Sequence, residues 1–244
     1  MTSATSEQDR RRAQRLARYD ELRVERPELF VNPAGAAYEI MFDPDVQTLV
    51  ADNSAAMLRE RGKPEEHGDI GVVYEDAFVI ALRDAVRFRN GRFGPYIRVL
   101  PAHPGTGAAV LPVLADGRLV LVRHFRHELR TWQWEIPRGF AEPGSDGATT
   151  AARELEEEVG LQSDKVELLG SLTGDGGRDE VYLARLDARA LPETGPAGAT
   201  EEGIDEFRLV TPMELARMIA AGEVSDCYLL AAFAFATAQG HLGG

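Results

Sequence analysis

Cysteine is almost absent from this sequence, and it has no long apolar run and no surplus of positive charge. Its 244 residues include one cysteine, Cys227, so no intrachain disulfide can form and a reducing compartment is expected. The longest apolar run, residues 227–236, is about half a membrane span. The first residues also lack the apolar core of a secretory signal. We therefore expect a cytoplasmic protein with no membrane association.

The negative charge of the chain limits the kinds of molecule that it is expected to bind. The formal net charge is −13, which argues against a nucleic-acid surface, because such a surface needs lysine and arginine to replace counterions. The charge is also uneven, at −2 for residues 1–100 and −11 for residues 101–244. The second part of the chain therefore favours cations, or a substrate that arrives with cations.

Hydrophobic patterns and turn signals divide the chain into three predicted segments. Residues 1–66 are expected to form a helical extension, with one helix ending near Arg26-Pro27 and another over roughly 45–61. Residues 67–104 are rich in β-branched and aromatic residues around an Asn-Gly turn, which predicts a small antiparallel sheet. Residues 105–244 mix strands with helices, so the expected fold class is α+β.

A helix predicted over residues 148–159 carries the densest charge in the sequence. Glu154 and Glu158 lie one turn apart on one face, Glu157 lies about 60° further round, and Arg153 lies beyond it. Like charges at this spacing repel, and the last turn of a helix disfavours anions. The cluster is either a solvated acidic face or a site for a divalent cation, since clustered carboxylates suit Mg²⁺ and Mn²⁺.

The segment "GFAEPGSDGATTAARELEEEVGL" resembles the Nudix box, Gly-x5-Glu-x7-Arg-Glu-U-x-Glu-Glu-x-Gly-U, in which U is a bulky aliphatic residue. The spacing is kept throughout, and the only departure is Ser145 at the position of the first glutamate. The matching positions are Gly139, Arg153, Glu154, Leu155, Glu157, Glu158, Gly160 and Leu161.

The resemblance implies a Nudix hydrolase, with an α/β/α sandwich that cleaves a nucleoside diphosphate linked to another group. It implies that Glu154 and Glu158 are the main ligands of Mg²⁺ or Mn²⁺, that Glu157 is a further ligand and that Arg153 orients the glutamates. The missing glutamate mainly supports the loop and helix in this family. Ser145 therefore raises the alternative of a catalytically weakened protein that only binds nucleotides.

The surroundings resemble the ADP-ribose pyrophosphatase branch of the family, because "VRHFRHELRTWQWEIPRGFAEPG" has its layout. In this layout Arg126 is either a phosphate contact or part of a surface ion pair. Glu135 is either a contact to the nucleoside or the terminal ribose or a charge at a strand end. The main-chain carbonyl of Arg138 would bind metal, although the branch usually has a small residue there. Trp132 and Trp134 are either base-stacking platforms or core residues. The small sheet would mediate homodimerisation, as it often does in this branch.

The resemblance also places the general base in a mobile loop late in the chain, where "ATEEGIDEF" occurs. Glu202 is the first candidate and Glu201 the second. The expected substrate is ADP-ribose or a related nucleotide sugar. A specialised biosynthetic nucleotide is the alternative, suggested by Ser145, Arg138 and the unmatched first 66 residues.

Overall fold

The computed structural model of the chain forms two compact units, Met1–His103 and Pro104–Gly244. The division of the first unit at residue 66 stays a prediction. The residues that the structure describes are 6–102, 105–142, 144–163, 165–174, 177–187, 191 and 203–242.

The described part of the first unit, residues 6–102, is a four-stranded antiparallel sheet with two α-helices. The long strand β3 pairs with β4 along one edge and with both β1 and β2 along the other. Strand β1 was not predicted, because three residues carry too little pattern. The elements are α1 (Glu7–Glu25), β1 (Tyr38–Ile40), α2 (Pro44–Glu60), β2 (Gly71–Glu75), β3 (Val79–Phe88) and β4 (Phe93–Pro101).

Helix α1 is joined to the rest of this unit by a buried carboxylate. Asp69 is fully buried and accepts hydrogen bonds from Arg11, Arg12 and Arg15 at 2.8–2.9 Å. Because charged hydrogen bonds are stronger than neutral ones, this cluster offsets the burial of the Asp69 charge. Three arginines of α1 are therefore used inside the unit.

In its described residues, the second unit contains a seven-stranded mixed sheet and three α-helices. The sheet order is β11-β6-β5-β10-β9, with β7 on β6 and β8 on β5, and only β5 and β10 run parallel among the described pairs. The elements are β5 (Ala108–Leu114), β6 (Leu119–Arg126), β7 (Thr131–Glu135), β8 (Arg138–Gly139), α3 (Gly147–Val159), β9 (Val166–Gly174), β10 (Gly177–Leu186), β11 (Ile204–Val210), α4 (Pro212–Ala220) and α5 (Cys227–Ala238).

Helices cover both faces of this sheet. Along β5, Leu111 belongs to a buried cluster with residues of α4 and α5, whereas Val110 belongs to a cluster with residues of α3. This alternation is expected because successive strand residues point to opposite faces. The predicted α/β/α sandwich is confirmed. Among the described helices, none combines the length and the apolar character that a bilayer crossing requires.

The ends of α3 are set by local sequence. The Asp146 side chain accepts a hydrogen bond from the Thr149 main-chain N–H at 2.8 Å, which caps the first turn. Gly160 ends the helix with φ 75°, a left-handed conformation that glycine adopts without a Cβ clash. Between these ends, Ala151, Leu155 and Val159 are buried. This buried stripe fixes the rotation of α3 and thereby the direction of its glutamates.

Candidate functional site

Two glutamates of α3 lie against the short strand β8. Glu154 and Glu158 are 5% and 2% exposed, unlike ordinary surface carboxylates. The Arg138 main-chain N–H approaches Glu158 Oε1 at 3.5 Å, and a Cβ added to Gly139 would overlap Glu154 Oε1. The Glu154 carboxylate thus occupies the space that a side chain at position 139 would need. The structure brings these glutamates together beside one main-chain segment.

Arg153 links the glutamates to the loop before the helix. Its guanidinium donates to Glu154 Oε1 at 2.6 Å, to Glu157 Oε2 at 2.5 Å and to the Phe140 carbonyl oxygen at 3.0 Å. Burial alone would lower the pKa of Arg153, but the charges of Glu154 and Glu157 raise it. Arg153 therefore stays charged and offsets part of the repulsion between the acids of the helix.

Glu135 is the second buried carboxylate of this region, and it lies between two arginines. Glu135 is fully buried at the end of β7. Arg126 Nε donates to both of its oxygens at 2.8 and 3.0 Å, and Arg138 Nε donates to Oε2 at 3.2 Å. Burial alone would lower the pKa of Arg126, but its hydrogen bonds to Glu135 raise it. Glu135 thus fixes two guanidinium groups.

A cavity of about 250 Å³ lies beside β8, and both arginines line it. The Arg138 guanidinium lies 4.3 Å from the centre of the Tyr228 ring and 3.4 Å from Asp226. The Tyr228 hydroxyl donates to Asp179. Burial raises the pKa of Asp226, although the charge of Arg138 opposes this. The full lining is Gly107, Ala108, Arg126, Arg138, Gly139, Phe140, Asp179 and Tyr228.

The second unit of this chain is similar in sequence to a known protein family. The family model described as NUDIX domain matches residues 103–231, more than half of the chain. The chain belongs to the Nudix family. The helix with the buried glutamates is therefore the helix of a Nudix box, and Gly139 is its first glycine.

The relatives of this Nudix chain include an ADP-ribose pyrophosphatase of Mycobacterium tuberculosis, 35% identical over 165 residues, which are 65% of this chain and 76% of the relative. A methanol dehydrogenase activator of Bacillus methanolicus is 34% identical over 133 residues, 54% of this chain and 68% of the relative. The crystal structure of an ADP compounds hydrolase has a TM-score of 0.53 at 19% identity, covering 70% of this chain and 90% of the other, which shows the shared fold. The prediction of a Nudix hydrolase resembling the ADP-ribose pyrophosphatases is confirmed.

Ser145, the departure from the Nudix box, lies in a turn before α3. Its main-chain N–H donates to the Glu142 carbonyl oxygen at 3.0 Å. The Glu142 charge adds to the charges that raise the pKa of Arg153. In this structure, Glu154 and Glu157 hold Arg153 without an acid at position 145.

A divalent cation fits the carboxylates of the Nudix box by the chemistry of its donors. Glu154 and Glu158 supply the hard oxygens that Mg²⁺ and Mn²⁺ prefer. Glu157 is different, because its side chain is 45% exposed and pairs with Arg153. In the described part of the chain, no three His, Cys, Asp or Glu side chains are grouped as a metal site. Main-chain carbonyl, water and phosphate oxygens are the further ligands that such cations commonly take.

The remaining predicted site residues are less clearly placed. Trp134 packs against the core cluster that faces α4 and α5, and Arg208 lies over its ring. Trp132 is 39% exposed and contacts the Phe125 ring edge-on. Glu201 and Glu202, the candidate general bases, lie outside the described residues, so their role stays a prediction.

Sequence reasoning did not find the residues that surround the Arg138 side chain. Asp179, Asp226 and Tyr228 are distant from residue 138 in the chain, and no spacing rule connects them. One signal was available, since Asp226 has the position and residue type of a helix cap. Its side chain accepts from the Leu229 main-chain N–H at 2.8 Å at the start of α5.

Proposed function

We propose that this Nudix hydrolase cleaves the pyrophosphate bond of a nucleoside diphosphate linked to another moiety, with ADP-ribose or a related nucleotide sugar as its substrate. The observation that carries the proposal is the pair of buried glutamates, Glu154 and Glu158, against the main chain of Gly139. An ADP-ribose pyrophosphatase among the relatives supports the choice of substrate. The strongly negative second part of the chain is consistent with a substrate that is bound together with cations.

Mg²⁺ is the proposed cofactor, with Mn²⁺ as an alternative. Glu154, Glu158 and the main-chain carbonyl of Arg138 would hold it, and Glu157 is a further candidate. When bound, such a cation neutralises phosphate charge and lowers the pKa of water. Arg153 keeps the carboxylates of α3 oriented toward β8 through its hydrogen bonds to Glu154 and the Phe140 carbonyl.

The neighbouring residues are proposed to bind and position the substrate. Arg126 would contact a phosphoryl oxygen, because it lines the cavity beside β8 and Glu135 holds it in place. Glu135 is fully buried and both of its oxygens accept hydrogen bonds, so it would contact the nucleoside or the terminal ribose only if one of these ion pairs opens. For stacking on a base, Trp132 offers more exposed ring than Trp134 does. Glu202, or Glu201 as second candidate, would accept the proton of the attacking water.

A substrate panel tests this function. Purified protein would be incubated with ADP-ribose, other ADP-sugars, UDP-sugars and dinucleotides in Mg²⁺ or Mn²⁺, and the nucleotide products separated by chromatography. We expect ADP-ribose to give AMP and ribose 5-phosphate. The Ser145→Glu variant should differ from the wild type by less than the roughly tenfold effect typical of an outer-shell partner, because Arg153 is already held.

The outcomes of the panel distinguish the alternatives. Tight nucleotide binding without cleavage of any compound would contradict the proposal and indicate a catalytically weakened binding protein. Cleavage of only an unusual nucleotide would indicate the specialised biosynthetic hydrolase. A strong gain of turnover in Ser145→Glu would show that the serine impairs catalysis.

We further propose that the first unit mediates a homodimer. Among the described strands, β4 pairs only with β3, so its other edge is open. Phe93, Ile97 and Val99 are 40%, 54% and 53% exposed on one face of this strand. An open edge with an apolar face is typical of an association surface. Sedimentation velocity should give twice the chain mass of 26.7 kDa, and Ile97→Asp should give the monomer. A monomeric wild type would contradict this proposal.

A further inference from the structure

We propose that the Arg138 side chain is a second phosphate-binding group of this site, and that Arg126 and Arg138 together form a diphosphate clamp. The proposal rests on the proposed function, because the ligand is the diphosphate of that substrate. It goes beyond that function, in which Arg138 supplies only a main-chain carbonyl. The branch usually has a small residue at this position, so the proposal gives the Arg138 side chain of this chain a role.

Glu135 holds both arginines of the clamp and determines which of their nitrogen atoms stay available. Arg126 and Arg138 both use Nε and Nη2 to contact this buried carboxylate. Among the described residues, neither Nη1 group has a hydrogen-bond partner. Neither Nη1 group belongs to the buried side-chain atoms without a partner, so both are accessible. Both Nη1 groups are therefore available to a ligand, and both residues line the cavity beside β8.

The Arg138 guanidinium is held in this position before any ligand binds. Tyr228 lies beneath it, with 4.3 Å between the guanidinium carbon and the ring centre, and Asp226 contacts it at 3.4 Å. The Asp226 carboxylate is fixed in turn by the first turn of α5, because it accepts a hydrogen bond from the Leu229 main-chain N–H. A guanidinium fixed in advance loses less conformational entropy when it binds an anion.

The class of ligand follows from the number and origin of the donors. Two Nη1 groups on two separate side chains suit oxygens of two adjacent phosphoryl groups better than one phosphoryl group. The two guanidinium groups also carry one charge more than Glu135, and Asp226, which contacts Arg138, offsets part of this surplus. The clamp should therefore favour nucleoside diphosphate compounds over nucleoside monophosphates.

Calorimetry with two ligands tests the clamp. The α,β-methylene analogue of ADP-ribose carries an uncleavable diphosphate, and AMP carries one phosphoryl group. A hydrogen bond to a charged group predicts that Arg138→Gln weakens binding of the analogue by about 10–100-fold. The same substitution should change the logarithm of the AMP dissociation constant by less than about a third of the change for the analogue. Arg138→Lys should recover part of the loss, and Arg118→Gln, which removes a surface arginine of the β5–β6 turn, should bind as the wild type does.

The opposite results would overturn the clamp. Arg138→Gln with wild-type affinity for the analogue, or with equal losses for the analogue and AMP, would show that the side chain has a local structural role. If thermal unfolding shows that this variant is not folded, Tyr228→Leu and Tyr228→Phe replace it. Loss of the ring should weaken binding of the analogue several-fold, on the scale of a cation–π contact, whereas phenylalanine should preserve it. Wild-type affinity in Tyr228→Leu would contradict the proposal.

Failure of the clamp and failure of the proposed function are distinguishable. If the wild type binds the analogue through Arg138 but cleaves no compound of the panel, the proposed function fails and the clamp stands. If the wild type cleaves ADP-ribose and Arg138→Gln keeps its affinity for the analogue, only the clamp fails.

Discussion

Replacing Glu158 by glutamine should reduce turnover by about a hundredfold to a thousandfold or more, the range typical for loss of a group that stabilises transition-state charge. Glutamine keeps the size of the side chain, and the buried stripe of α3 is unchanged, so the variant should fold. It also removes a like-charge neighbour from Glu154, which should leave the metal-free protein as stable as the wild type or more stable by about 0.2–0.5 kcal/mol. Turnover of ADP-ribose and thermal unfolding with and without Mg²⁺ measure both effects.

The matched control for this variant is Glu156→Gln, on the same helix. Glu156 is exposed and accepts a hydrogen bond from Gln162 at 2.6 Å, away from β8. It should keep wild-type turnover and the same stabilisation by Mg²⁺. Equal activity of Glu158→Gln and Glu156→Gln would show that the buried glutamate has no part in catalysis.

Replacing Gly139 by alanine should have the second large effect. The added methyl group would overlap the Glu154 carboxylate, which has no room to remain in place between α3 and β8. Because Glu154 also receives the Arg153 hydrogen bond at 2.6 Å, its displacement disturbs both residues. We expect turnover to fall at least about tenfold to a hundredfold, the effect of losing correct orientation at a metal site. The Mg²⁺ concentration needed for half-maximal activity should rise.

A glycine nearby provides the control for this substitution. A Cβ added to Gly105 would meet the Ala141 Cβ at 3.1 Å, a tight contact with an apolar group and not with a carboxylate. Gly105→Ala should therefore keep its dependence on Mg²⁺ even if its stability falls slightly. A wild-type response to Mg²⁺ in both alanine variants would show that a Cβ at position 139 does not displace Glu154.

Features encoded by neighbouring residues could be predicted from the sequence. The caps of α3 follow from Asp146 and Gly160, and the start of α4 follows from Thr211 and Glu214, which form a capping box. The Asp116-Gly117 turn likewise connects β5 and β6. Each of these depends on contacts within a few residues, so the local sequence determines them almost alone.

Features formed by distant residues could not be predicted in the same way. The family motif places Glu154 and Glu158 on one helix, but it does not show that Glu157 faces solvent and pairs with Arg153. It also does not show that Glu135 joins two arginines, because β7, β8 and α5 come together only in the folded sheet. The departure at residue 138 was visible in the sequence, whereas the Tyr228 ring that lies beneath its side chain was not.

The parallel pairing of β5 with β10 has a consequence for the order in which this protein folds. Strand β8, which lies against the glutamates, pairs with the start of β5, and the same part of β5 pairs with β10 from a much later part of the chain. Such non-local pairings form slowly, because the intervening chain must first be closed into a loop. During synthesis, residues 147–159 can form helix α3 early, but the sheet against which that helix packs is complete only after β10 and β11 have left the ribosome. Catalytic competence is thus acquired late, and a chain that stops before β10 exposes an unpaired edge of β5 on which other chains can aggregate.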